Sequence, residues 1–318
     1  MHFETLPSSY SPIGQPMWCT ITEITGPVVE VQMHLTSHGV VGIKRFVNQG
    51  AVTFDVAPYL ARRAKFKIPL GASAVELAGD RQLMLTLVAV GASGKITSPT
   101  IIYRPARCVE QPTALLSTLP TERLLATDEM DELTFLSGPP QPLSVVVTHR
   151  DGTITTSSYI VPGTGLFRFR LRASDFPDAD QIVVDGSPTA TVRYTLTPPL
   201  DGGCRVAWHS SRGSLEQYTF PLMKRRIFTA RKERIEGDKE RKVVRCEGRE
   251  CFVLQSALEG EEMMQGLKEL LTAEQVWMLR DGVYEPMDVV SEELEIVCDG
   301  LFTGFELTLC PTSKNDCA

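Results

Sequence analysis

Long apolar runs are missing from this 318-residue chain, and no stretch approaches the roughly 18 residues that a membrane-spanning helix needs. Its first residues, MHFETLPSSYSPIGQPMW, lack the basic-then-apolar order of a secretory signal, so the expected address is the cytoplasm. The five histidines are dispersed. There is no CxxC pair, no GxSxG elbow, no phosphate loop and no set of paired carboxylates. Together these absences predict a chain that is not an enzyme and that takes no metal, no cofactor and no small-molecule substrate. Excess positive charge is also lacking: the net charge of -7 disfavours bulk attraction to nucleic acid or anionic membrane.

Cysteine is present but not in the spacing of a small disulfide scaffold. Cys19, Cys108, Cys204, Cys246, Cys251, Cys298, Cys310 and Cys317 are scattered, and reduced thiols are the expectation. If Cys246 and Cys251 flanked a tight hairpin they would face each other, which permits a disulfide without predicting one.

With 42% hydrophobic and 22% charged residues the composition is that of a globular protein, and the length exceeds what one core usually organises. Strand signals fill the first two-thirds. Val29, Val31 and Met33 alternate with Glu30, Gln32 and His34; Val52, Phe54 and Val56 alternate with Thr53 and Asp55; Leu83–Val90 is an almost unbroken apolar run. Turn residues at Thr25-Gly26-Pro27, Asn48-Gln49-Gly50 and Gly91–Gly94 separate them. Short strands at this spacing suggest a β-sandwich.

The stretch Arg104–Leu143 breaks the rhythm and predicts a domain junction near 111–121. Its acidic cluster, Asp128-Glu129-Met130-Asp131-Glu132, lacks the ligand alternation of a calcium loop and is expected to be a solvated linker or loop. Beyond it, Asp151-Gly152 between alternating segments predicts a hairpin whose two central residues take positive φ. Phe167, Phe169 and Leu171 alternate with Arg168, Arg170 and Arg172, placing an apolar face against a core and a row of arginines on the opposite face. That row is expected to be a solvated surface, with a protein interface and then a nucleic-acid contact as the alternatives, since guanidinium groups fork onto carboxylates and phosphates alike.

Trp208-His209-Ser210-Ser211 invites a hydrolase reading, but neighbours on a strand point to opposite faces, so a structural tryptophan and an exposed histidine are expected. In the last third, Ser256-Ala-Leu-Glu259 reads as a capping box. Leu258, Met263, Met264, Leu267, Leu270 and Leu271 share one helical face, which should pack on a sheet built from 242–254, 276–280, 283–290 and 293–309, with Asp281-Gly282 as a two-residue turn. Before this unit lies the strongly basic stretch 224–242, KRRIFTARKERIEGDKERK, expected to form a projecting hairpin that turns at Glu236-Gly237-Asp238 and carries Lys224, Arg225, Arg226, Arg231, Lys232 and Arg234.

The run Arg205-Val-Ala-Trp208, Arg212-Gly213 and Tyr218-Thr-Phe220 resembles the W-N-x-x-G-x-x-D-x-[FY]-T-F segment of prophage tail or baseplate structural proteins of gut bacteria, with His209 in place of the usual Asn and Glu216 near the usual acid. Downstream, Leu267–Leu271, Val276-Trp-Met-Leu-Arg-Asp-Gly282, Tyr284–Val289 and Phe305–Leu309 are similar to the helix, the V-W/Y-L-x-x-D-G turn and the last strand of the same family. The resemblance spans 203–310 and implies a non-enzymatic tail or baseplate subunit that contacts itself, as a homo-oligomer or ring, and other tail proteins, in the bacterial cytoplasm during assembly and in the virion if phage-encoded.

The expected architecture is mainly β: two tandem β-sandwich (Ig-like) domains, 1–112 and 113–222, then a small α+β domain, 223–318, with one helix packed on an antiparallel sheet. The alternative function is a carbohydrate-binding or adhesion module, which such sandwiches also support; the absence of an aromatic cluster weighs against it.

Overall fold

A computed structural model describes residues 1–60, 63–64, 66–68, 70–107, 115–187, 190–236, 241–312 and 315–316. The chain is mainly β, with several sheets. Part of the expected 111–121 junction, the Gly237-Asp238 turn, Cys108 and Cys317 lie outside the described residues.

Two sheets share the first core. One is His2–Thr5, Trp18–Thr22 and Val52–Asp55; the other runs Ser11–Pro12, Ile101–Arg104, Leu83–Gly91, Val28–Leu35 and Gly39–Val47, with Gly94–Thr97 added beside Leu83–Gly91. The period-two pattern is realised as written: Val29, Val31, Met33 and Leu35 are buried together with Cys19, Ile21, Phe54, Leu85 and Leu87.

The second core lies between the sheet Glu122–Ala126, Ala190–Thr197, Ala179–Ser187, Gln141–His149, Ile154–Val161 and the sheet Met130–Ser137, Gly165–Arg172, Ala74–Leu77. Ala74–Leu77 belongs by sequence to the first region, yet it hydrogen-bonds to Gly165–Arg172, pairing Glu76 with Arg168 and Val75 with Phe169. The first region thus lends an edge strand to the second. The Asp151-Gly152 hairpin forms, but as a three-residue loop closed by His149 N donating to Thr153 O at 2.8 Å, with positive φ at Gly152 and not at Asp151. The Asp151 carboxylate instead accepts from the Thr153 backbone N at 2.9 Å.

The third core is covered by a long sheet ordered Leu215–Phe220, Cys204–His209, Val276–Arg280, Val283–Val289, Phe302–Pro311, Arg241–Gln255, Leu222–Glu236. Cys204–His209 and Leu215–Phe220, which the sequence grouped with the second region, hydrogen-bond into this sheet through Val206, Ala207 and Trp208 against Met278, Trp277 and Val276. Asp281-Gly282 makes the expected two-residue turn, with φ of 49° and 79°. Helix Glu261–Leu267 packs Met264 and Leu267 against Phe252, Leu254, Phe305 and Leu307. A Cβ at Gly266 would lie 2.8 Å from Thr118 O and from Leu119 Cδ2, so glycine permits the close approach of the helix to that segment.

The capping box is not used. The helix begins at Glu261 after Gly260, five residues beyond Ser256. Ser256 Oγ accepts from Phe305 N at 2.9 Å, and Glu259 forms an isolated bridge with Thr303. Leu258, assigned to the apolar face, is exposed.

Candidate interaction surface

The basic stretch forms the expected arm. Leu222–Glu236 pairs with Arg241–Gln255 in antiparallel register, with shifts at Met223/Arg225 and Glu233/Arg234. Arg241–Gln255 pairs with the body through Phe252–Gln255 against Glu306–Leu309, and Arg249 reaches Asp288 at 3.3 Å; further out, its strand neighbour among the described residues is the two-residue strand Asn315–Asp316. At about 3.3 Å per residue the part beyond Cys251 extends roughly 30 Å. Every side chain from Lys224 to Glu236 is exposed, including Phe228 at 75% and Ile235 at 59%. Near the root, Lys224 pairs with Glu306 and Arg226 Nε donates to Glu250 at 2.8 Å. Arg231, Lys232 and Arg234, further out, have no ion-pair partner among the described residues.

A disulfide closes the root of the arm. Cys251 and Cys310 are opposite neighbours on adjacent strands with Cα atoms 4.3 Å apart. This corrects the expectation of reduced thiols at these positions. It also corrects the Cys246/Cys251 geometry: the two lie on the same strand, and Cys246 is a free thiol.

The arginine row is not a solvated face. The alternation is correct, with Phe167, Phe169 and Leu171 buried in the second core. Arg168, however, is paired with Glu76 at 3.1 Å and Asp80 at 2.9 Å, and Arg170 with Glu76 at 2.9 Å. Arg170 Nε also donates to Ala72 O at 2.7 Å. These two arginines anchor the lent strand; Arg172 alone stays exposed. Of the candidate contact residues, Lys224, Arg225 and Arg226 are exposed but paired with Glu306 and Glu250, while Arg172, Arg231, Lys232 and Arg234 are exposed without an ion-pair partner among the described residues.

The acidic cluster is not a solvated linker. Met130–Ser137 is a strand covered on both faces, so adjacent acids point to different neighbours. Asp131 accepts from Arg123 Nη1 at 2.9 Å and Tyr194 OH at 2.8 Å; Glu132 accepts from Arg81 Nη2 at 2.7 Å. Glu129 pairs with Arg205 at 3.0 Å, tying the second region to the long sheet. Only Asp128 is exposed.

Glu216 lies at the same junction, fully buried. It accepts from Ser117 Oγ at 2.7 Å and Thr118 N at 2.9 Å, with Arg123 Nη1 4.0 Å away. Burial raises its carboxyl above the ordinary range, against the pull of Arg123. A cleft of about 370 Å³ opens beside Arg123, lined also by Leu119, Glu129, Arg205, Tyr218 and Glu259. The acids and arginines among these are bonded to one another or to neighbouring side chains.

His209 is not exposed as expected. Its ring sits 3.9 Å from the Phe66 ring, centroid to centroid, and Nε2 donates to Pro105 O at 2.7 Å. Burial, with help from Arg81 and Arg107, lowers its pKa to about 4 despite that hydrogen bond, so the ring is neutral. Its neighbours Ser210 and Ser211 turn elsewhere, to Ser214 Oγ and to Glu269 Oε1, each at 2.6 Å.

Among the described residues there is no group of three or more His, Cys, Asp or Glu placed to hold a metal ion, and no helix is long and apolar enough to cross a membrane.

No protein-family model matches the chain, and no curated protein does. Among solved structures, the E. coli chaperone DraB aligns with 62% of this chain and 98% of its own length at 10% identity and a TM-score of 0.23. The Pseudomonas aeruginosa CupB2 chaperone aligns with 69% and 98% at 10% identity and a TM-score of 0.22. A chimeric titin Z1Z2 aligns with 63% and 97% at 16% identity and a TM-score of 0.21. At TM-scores this low the likenesses carry no functional argument.

Proposed function

We propose that the chain is a non-enzymatic structural subunit of a phage or prophage tail or baseplate assembly, acting through protein–protein contacts that include copies of itself. The observation that supports this most is the arm. A two-stranded hairpin with exposed apolar side chains gains little stability on its own in water, and its outer strand leaves a row of backbone donors and acceptors unpaired. Such an edge suits strand addition from another chain. The buried ion pairs between regions and the lent strand Ala74–Leu77 give the arm a firmly knit base. Of the segments that carry the tail-protein resemblance, Arg205–Trp208, Tyr218–Phe220, Val276–Arg280, Tyr284–Val289 and Phe305–Leu309 lie in strands of the sheet from which the arm extends, whereas Leu267–Leu271 is helical.

Light-scattering mass measured over rising protein concentration tests the reading. The expected result is a mass above that of one chain; a single-chain mass at every concentration contradicts it.

A further inference from the structure

Among the described residues, Leu215–Phe220 ends the long sheet on its buried side, and two further strand edges are exposed and lack a pairing partner. The outer side of Leu222–Glu236 ends the strand order, and among the described residues Ile296–Asp299 pairs with Phe302–Pro311 alone, through Ile296 opposite Phe305 and Val297 opposite Gly304. The two edges carry opposite charge. The arm stretch 224–242 holds nine Lys/Arg against four Asp/Glu, a surplus of five, in a chain whose net charge is -7. Leading into Ile296–Asp299 is Ser291-Glu-Glu-Leu-Glu295, whose Glu292, Glu293 and Glu295 are exposed and have no ion-pair partner among the described residues. Beside that edge Leu301 is 89% exposed, with Val297 and Phe302 also largely uncovered.

We infer that the arm of one copy adds as a strand to the Ile296–Asp299 edge of a second copy, with Arg231, Lys232 and Arg234 meeting Glu292, Glu293 and Glu295. The inference rests on the assembly reading above and names its partner: another copy of this chain. Charge selects this pairing over the symmetric one. Two arms paired edge to edge would set the same basic surplus against itself, and like charges directly opposite destabilise strand pairs. Arm-to-acidic-edge pairing joins opposite charges and, in antiparallel register with Arg231 opposite Glu295, brings Phe228 toward Val297, Leu301 and Phe302. The contact uses different surfaces on the two partners, so it is head-to-tail, closing into a ring or continuing as a filament. The three basic positions and the three acidic ones make no ion pair with each other within one chain, which leaves both sets available across a boundary. Because the charges are exposed, salt should weaken the contact.

The test is a charge swap read by light-scattering mass. One variant carries Arg231→Glu, Lys232→Glu and Arg234→Glu; the other carries Glu292→Lys, Glu293→Lys and Glu295→Lys. Each alone should show the mass of one chain where the unmodified protein assembles, and an equimolar mixture should regain the assembled mass, which also shows that both variants fold. The inference is overturned if either variant alone keeps the assembled mass or if the mixture stays at one chain. In both of those cases the unmodified protein still assembles and the broader reading stands. If the unmodified protein is itself a single chain, both fail.

Discussion

Cys251 and Cys310 face each other across adjacent strands, joined by a disulfide where the arm leaves the body. The bond closes a separation of 59 residues; by the chain-entropy account such a loop contributes about 4 kcal/mol. Replacing both cysteines by serine should lower the unfolding free energy by that order in denaturant titration, and adding a thiol reductant should do the same to the unmodified protein. If reductant leaves the denaturation midpoint unchanged, the bond does not hold the fold.

His209 supplies a pH test. Its pKa is about 4 in the folded chain against about 6.5 when unfolded. The unfolded chain therefore binds the proton more tightly between those values. The stability that the neutral ring contributes is fully present above about pH 6.5 and is lost as pH falls toward 4, on the order of 3 kcal/mol in all. His209→Asn should flatten the stability profile over this window; an unchanged slope in unfolding titrations at pH 4.5 and 7 contradicts the assignment.

Glu76 holds the lent strand. Glu76→Gln removes the charge facing Arg168 and Arg170 and should cost about 1–3 kcal/mol. Amide hydrogen exchange in Ala74–Leu77 and Gly165–Arg172 should rise together, since the two segments share one ladder. Faster exchange confined to one of them argues against strand lending.

Arg123, itself buried, ties together Asp131, Glu216 and Ser117. Arg123→Met leaves buried acids without their cation and should cost about 3–5 kcal/mol, more than Glu216→Gln, which keeps an acceptor oxygen for Thr118 N. Equal losses in chemical denaturation would place the network's weight elsewhere.

The strands and turns were legible wherever the signal was local. Val29/Val31/Met33 and Phe167/Phe169/Leu171 alternate at period two, Asp281-Gly282 is a short turn pair, and 224–242 is dense in charge. What could not be read was the partner across the sheet. The arginine row has the alternation of a surface strand, yet its acids come from Glu76 and Asp80, 92 and 88 residues away. Asp128–Glu132 has the composition of a solvated loop because composition does not show that Arg123, Arg81 and Arg205 converge on it. Ser256–Glu259 satisfies the spacing of a capping box, but Ser256 is already bonded to Phe305, and that backbone contact moves the helix start to Glu261. Cys310 lies next to Cys251 only because Phe302–Pro311 pairs with Arg241–Gln255. In the interaction surface, likewise, the basic arm was evident from the sequence, whereas the complementary acidic edge shows itself only once Ile296–Asp299 is seen to have one open side.

The measurement that bears most directly on the central claim is the solution mass of a variant lacking residues 231–242, compared with the full chain at the same concentration. If the arm is the assembly contact, the shortened chain should run at the mass of a single copy while the full chain runs above it. An assembled mass unchanged by the deletion would contradict it.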